Sequence, residues 1–594
     1  MRKLIYAIVL FGTITLSGCA LSKMVKMAKD QELTVVPSPL ELHGDSVKFE
    51  MSALLPVKML KEGKVYTVRT FYVYGDQEID LGSIEFRKSD FPNSDDQQPR
   101  QTEQFSFAYE PAMKRGDLEV QGIATNEKNG KSKESPRMKV AEGVITTSGL
   151  AQNAFYSAYA NHGYNNQEEL IPTVVPFYFP QGSAVLRTSE KRSDRGNYFD
   201  AFLAEKNVTR TVTITGAHSP EGPERVNENL SRNRARAIET YYRQRMRNYD
   251  YKGLADSIDF ILKPVVEDWT MFKEKLQAYE GLTDAQKQEY LNIINGSGSF
   301  EEKEDALQRL STYKEVFNNI YPELRVAQTE ILTVKVKKPD SEIAVLARQI
   351  AEGSIDADTL SDEELSYAAT LTPSLQEKEA IYKAATKKND SWASHNNLGA
   401  VYLQMAKEAT SESQKNQYVE MAITQFEISL NKQESAEVYN NLAVAYLLQG
   451  NKAKAVEANQ KSLGLSPSDD IASGTSGVSG SLQLQSGLYS EAIASLSNAE
   501  ENTENLFNKG LAQLLNGEYQ NSLTTFEEVI DLNSNFALAH YGAAVASARL
   551  QNSEGVHEHI REAVAIDPEL KETALNDLEF VDYADSEEFR NALK

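Results

Sequence analysis

Three regions of differing pattern predict a multi-domain protein. They read as a β-sandwich-like N-terminal domain, an α/β layer domain with a helical insertion, and an all-α repeat solenoid. Residues 33–165 carry short alternating apolar runs broken by polar turns. Residues 170–337 alternate strand and helix patterns. Residues 341–594 are helical in pattern, and the pattern repeats. A chain of 594 residues has room for several such units.

The N-terminus reads as a targeting segment. Met1, Arg2 and Lys3 precede an apolar run from Leu4 to Leu16, which stops at Leu16-Ser17-Gly18-Cys19. This is a basic region, a short apolar region and a small-residue cleavage site. The run is shorter than the ~20 apolar residues of a transmembrane helix. Cys19 is the only cysteine, so no intrachain disulfide can form. Leu-Ser-Gly-Cys resembles the bacterial lipobox. The resemblance implies removal of residues 1–18, acylation of Cys19, a lipid-anchored linker over residues 19–32, and residence in the outer membrane. Residues Ala20 to Met24 lack the acidic cluster that often marks surface-exported lipoproteins of the Bacteroidetes. That favours a periplasm-facing orientation.

Composition narrows the partners. The net charge is -24 and the hydrophobic fraction is 41%. The second value is ordinary for globular chains. The first argues against nucleic acid, whose phosphates call for a basic face.

In the first region the strand-like runs include Val47 to Met51, Val65 to Tyr74 and Leu118 to Val120, separated by turns such as Phe91 to Asp96. Short runs of this kind suggest an antiparallel, Ig-like sandwich. In the second region strands are expected at Val174–Phe179, Thr211–Ile214, Ile258–Leu262 and Glu330–Val336, with helices reaching to about Lys206 and Arg245. The polar helical stretch at about 268–319 is far longer than an ordinary connection and reads as an insertion.

That second region contains the most specific motif. Gly216-Ala217-His218-Ser219-Pro220-Glu221-Gly222 is followed by Asn227, then by Leu230-Ser231 and Arg234-Ala235. The two glycines, the Asn, the Leu-Ser and the Arg-Ala resemble the spacing of the OmpA-like peptidoglycan-binding domain. The resemblance implies that an Asp and an Arg grip the zwitterionic end of diaminopimelate in the peptide stem. Arg234 falls at the arginine position, where a planar fork suits a carboxylate. Ser219 stands where the family has Asp, so Glu221 is the candidate replacement carboxylate. The alternatives are that Glu221 merely favours the start of the next helix and that Arg234 makes a structural ion pair. Candidate wall-binding residues are therefore Ser219, Glu221, Asn227 and Arg234.

In the third region Asn396-Asn397-Leu398-Gly399-Ala400-Val401-Tyr402 parallels Asn440-Asn441-Leu442-Ala443-Val444-Ala445-Tyr446, with echoes at Asn508 to Ala512 and His540 to Ala544. The pattern is similar to tetratricopeptide repeats. Small residues at Gly399, Ala443 and Ala455 would let paired helices approach. Leu398, Tyr402, Leu442, Tyr446 and Leu463 would fill the layers, and Pro467 would close a unit. Stacking of such units supplies the stability. The Gly/Ser-rich stretch Ile471 to Gly480 is expected to form a poor or frayed helix.

No catalytic constellation, cofactor motif or metal cluster emerges. His557-Glu558-His559 places its imidazoles on different helix faces, which suggests solvent-facing side chains. The expected function is non-catalytic: a lipoprotein bound to the membrane by its lipid, to peptidoglycan by the OmpA-like domain, and to an envelope protein by its repeats. The alternative is a protein-assembly scaffold with wall binding lost.

Overall fold

The computed structural model describes residues 20–249, 251, 253, 258–265 and 268–594; the leader at 1–18 and Cys19 lie outside the described residues. Two compact units are present. One combines residues up to 163 with residues 340–594, and the other is residues 164–339.

The first unit opens with ten strands: β1 (Glu32–Val36), β2 (Leu40–His43), β3 (Ser46–Leu54), β4 (Lys64–Tyr74), β5 (Gln77–Arg87), β6 (Arg100–Ala108), β7 (Asp117–Asn126), β8 (Ser132–Glu134), β9 (Met138–Glu142) and β10 (Val144–Ile145). One sheet has the order β1-β3-β2-β10, with β6 also on β3; the other is β5-β4-β7-β8, with β9 also on β7. Alternate residues point to opposite faces of a strand, so Val47, Phe49 and Met51 of one sheet meet Tyr66, Val68, Ile84 and Phe86 of the other in a shared core. Tyr72 stacks on Phe107 between the sheets at 4.5 Å. The stretch expected to be a lipid-anchored linker carries structure of its own from residue 20 on. Residues 20–27 are helical, and Leu21, Met24 and Ala28, on one helical face, are buried in the sandwich core.

Helices then pair along the chain: Trp392–Glu408 with Glu412–Lys432, Ala436–Leu448 with Lys452–Gly464, Asp469–Gln485 with Tyr489–Leu496, Thr503–Leu515 with Tyr519–Leu532, and Ala537–Arg549 with Ser553–Ile566. Leu398, Tyr402, Leu442, Ala443 and Ala455 are buried, and Gly399 lies against Phe426. Tyr446 and Pro467 are only half-buried. Two expectations need correction. Leu463 is 45% exposed, so it does not fill a layer. The Gly/Ser-rich stretch lies within the 17-residue helix Asp469–Gln485, with Gly474, Gly477 and Gly480 buried. Packing on both sides offsets its poor helix propensity.

Sandwich and repeats form one unit through polar contacts as well. Arg549 of the repeats donates to Glu41 of β2 at 2.8 Å, while Glu579 of its own region holds it at 2.6 and 3.0 Å. Thr147 donates to Glu579 at 2.7 Å, and His43 Nδ1 meets the Tyr489 hydroxyl at 2.9 Å.

The second unit is an α/β domain on a four-stranded sheet of order β11-β14-β12-β13. The strands are β11 (Leu170–Tyr178), β12 (Thr209–Gly216), β13 (Asp259–Pro264) and β14 (Val326–Val334). β14 is antiparallel to both neighbours, and β12 is parallel to β13. The 25-residue helix Glu224–Asn248 covers one face, burying Ile238 and Tyr242 with Phe177, Phe199 and Ile214. The inserted stretch folds into helices Thr270–Ala278, Asp284–Asn295, Phe300–Leu307 and Tyr313–Asn319. It has its own core of Trp269, Phe272, Leu276, Tyr290 and Leu307.

Candidate functional site

Two polar sites stand out, one in each unit. The first is the loop between β12 and helix Glu224–Asn248. Gly216 ends β12 where the helix crosses closely: a Cβ there would lie 2.0 Å from the Ser231 carbonyl oxygen, so only glycine fits. Ser231 secures the crossing by donating to the Asn227 and Val265 carbonyls. Asn227 in turn donates to the carbonyls of Glu221 and Gly222, both at 3.2 Å, and so shapes the loop.

Arg234 is 1% exposed. Its three nitrogens donate to backbone carbonyls: Ser183 at 3.0 Å, Ala217 at 2.7 Å and Pro180 at 3.3 Å. Burial pulls its pKa down to about 10, and the nearby Arg325 charge adds to that. Arg234 is thus a brace between two loops. The ion pair in this loop belongs instead to Arg325, just before β14, which donates to Glu221 Oε1 at 2.8 Å and to Ser219 Oγ at 2.9 Å. Ser219 and Arg325 are both buried. Glu221 Oε2 is buried without a hydrogen-bond partner.

The insertion adds to this neighbourhood. Glu301 Oε1 accepts from the Glu224 backbone N–H at 2.7 Å. Phe317 lies 5.6 Å from the Arg325 guanidinium. Glu304 is buried and accepts from the hydroxyls of Tyr313 at 2.7 Å and Tyr321 at 2.5 Å. Burial pushes its carboxyl above the usual range despite those two donors. The structure therefore brings together Ser219, Glu221, Asn227 and, nearby, Arg234. Arg325 is the partner that sequence spacing alone left out, and Glu304 is held apart from it by Tyr313 and Tyr321.

The second site is the groove of the repeat array. Residues 151–163 follow the sandwich without helix or strand and lie along the first helices of the repeats. Asn508 accepts from the Gln152 N–H and donates to the Gln152 carbonyl, both at 2.8 Å. Ser481 accepts from the Ala154 N–H at 3.4 Å. Asn440 donates to the Tyr156 carbonyl at 3.1 Å. Asn441 makes both bonds to Ala158 at 2.7 Å. Asn397 does the same for Ala160, at 2.7 and 3.2 Å. A side-chain amide carries one acceptor and donors, so it matches the two main-chain groups of a single residue. Every second residue is held, the period of an extended chain.

Asn397, Asn441 and Asn508 each stand two residues before a small residue, Gly399, Ala443 or Gly510. The repeat places them on one wall, where their amides are nearly fully buried. The asparagines at that fixed offset were the signal in the sequence. Side chains of the segment also seat: Ala154, Ala158 and Ala160 are buried, and Tyr159 stacks on Tyr382 at 6.2 Å. Tyr156 lies on Gly474, where a Cβ would sit 2.2 Å from the ring. This contact accounts for one of the glycines in helix Asp469–Gln485.

Among the described residues no group of His, Cys, Asp and Glu is arranged to hold a metal, and no helix is long and apolar enough to cross a membrane. His557 and His559 are half-buried rather than solvent-facing; His559 packs near His540 at 5.8 Å, and His557 near Tyr583 at 6.3 Å.

Tetratricopeptide-repeat family models match residues 407–470 and 503–536. The C-terminal region thus carries tetratricopeptide repeats, and repeats of this class generally serve protein–protein contacts. No curated protein matches the chain. Among solved structures, it is similar to a tetratricopeptide repeat protein from Parabacteroides merdae, with 17% identity, a TM-score of 0.28, and coverage of 41% of this chain and 98% of that one. It is also similar to the C-terminal part of a repeat-containing protein from Cytophaga hutchinsonii, with 14% identity, a TM-score of 0.27, and coverage of 38% and 91%.

Proposed function

We propose that this chain is a periplasm-facing outer-membrane lipoprotein that acts as a non-catalytic scaffold for an envelope protein complex. The observation that carries this reading is the asparagine-lined repeat groove holding extended main chain. Acylated Cys19 would anchor the protein. The sandwich region would brace the array through Glu41, which pairs with Arg549, and Thr147, which donates to Glu579.

A second reading, that the OmpA-resembling domain also grips peptidoglycan, is favoured by Glu221. Its Oε2 is buried and unpartnered, and an ammonium group of the peptide stem would satisfy it. Arg234, engaged by three carbonyls, offers less to a ligand carboxylate than its sequence position implies.

Two measurements separate the readings. Photo-crosslinking residues placed on the outer faces of the repeats in living cells should yield discrete protein adducts; a lack of adducts at every position would contradict the scaffold. Co-sedimentation of the ectodomain from Ala20 with sacculi tests the wall. Pelleting that Glu221→Ala abolishes supports peptidoglycan binding, whereas wild-type protein left in the supernatant removes it.

A further inference from the structure

We propose that residues 151–163 are a releasable strap that closes the repeat groove in cis and competes for it with an extended peptide segment of a partner protein. The proposal rests on the reading of the array as a protein-binding module, and it names the partner's chemistry.

The main contacts address the strap's backbone. Asn397, Asn441 and Asn508 each bind both main-chain groups of one strap residue. Such bonds are indifferent to side-chain identity, so another extended segment would make them equally well. Selection comes from space. Ala154, Ala158 and Ala160 are buried, and larger side chains there would meet the helices. Tyr156 fits the surface left open by Gly474. The fitting ligand is therefore an extended segment with small residues at alternate positions and an aromatic residue two before one of them.

Release is physically reasonable because the groove wall is polar. Asn396 and Asn397 already bond each other, as do Asn441 and Asn396. With the strap away, water would replace its amide contacts, so each bond contributes little net. The buried strap side chains facing the wall are alanines, which add little apolar area; the tyrosines are its larger anchors. The strap has no helix or strand of its own to unfold.

The test uses the chain from Ala20 and a fluorescent peptide of sequence Leu150 to Gly163. Wild type should bind it weakly, because the competent state is rare. Ala158→Glu with Ala160→Glu, which puts carboxylates into the groove, should expel the strap and tighten peptide binding about 10-fold or more. Adding Asn397→Ala and Asn441→Ala should reverse that gain. A folded strap variant that binds no better than wild type overturns the proposal. Should the strap variant fail to fold, hydrogen exchange of wild type decides. Added peptide should accelerate exchange at the Ala158 and Ala160 amides, and rates unchanged at millimolar peptide overturn the idea. Cellular crosslinks that persist when peptide binding fails would leave the scaffold standing and remove only this inference.

Discussion

The repeat groove and the loop after β12 are both rich in polar groups, yet they use them in opposite ways. In the groove, side-chain amides on the repeat helices bind the main chain of residues 151–163, which lie far away in sequence. In the loop, the Arg234 side chain reaches back to carbonyls of its own domain, and Glu221 is already paired with Arg325. The first arrangement holds an extended stretch of backbone. The second is built to hold a loop in shape. Motif position does not distinguish them; the destination of each donor does.

The largest effect is expected at Arg234. Arg234→Ala removes charge-assisted bonds to three carbonyls and leaves them buried. The α/β domain should lose roughly 3 kcal/mol or more, while the helical signal of the repeats keeps its midpoint in denaturant unfolding. Arg234→Lys should recover only part of the loss, because an ammonium lacks the planar fork. A loss below about 0.5 kcal/mol, the range of ordinary surface changes, would mean that the brace is not structural.

A smaller effect is expected in the groove. Asn441→Ala removes both bonds to Ala158, and the whole first unit should lose about 1–2 kcal/mol. Its distinguishing mark is faster local exchange at Ala158 than at amides within the array helices. Equal acceleration everywhere would assign Asn441 to global stability alone.

The smallest effect concerns pH. Burial raises the Glu304 carboxyl above its ordinary value of 4.5 in the folded domain. The native state then binds more protons than the unfolded state between the two values. Its stabilising contribution is fully present below about 4.5 and is lost as pH rises through the native value. Glu304→Gln, which mimics the protonated form, should flatten that decline. An unaltered pH profile of α/β-domain stability would show that Glu304 titrates normally.

Much of this architecture was legible because it rests on periodicity. The alternation at Val47, Phe49 and Met51 gave a strand, and the small residues Gly399, Ala443 and Gly510 marked the helical repeats. What escaped depended on long-range partners. The strap at 151–163 has no helical or strand pattern that separates it from a loop, since its order comes from asparagines hundreds of residues later. Those asparagines stood in the repeated motif without a role, because a buried amide is intelligible only beside the backbone it binds. Ile471 to Gly480 read as frayed because glycine propensity is local, whereas the contacts of Gly474 and Gly480 with Tyr156 and Leu496 are not. In the α/β domain the spacing found Arg234 but not that its donors turn inward, nor that Arg325 would take Glu221.

The most direct test of the filled groove is residue-resolved hydrogen exchange on the wild-type protein along residues 151–163. The amides of Gln152, Ala158 and Ala160 donate to asparagine side chains. They should exchange far more slowly than their neighbours at Asn153 and Tyr159, giving an alternating pattern of protection. Uniformly fast exchange along the segment, at the rate of an unstructured peptide, would contradict the account.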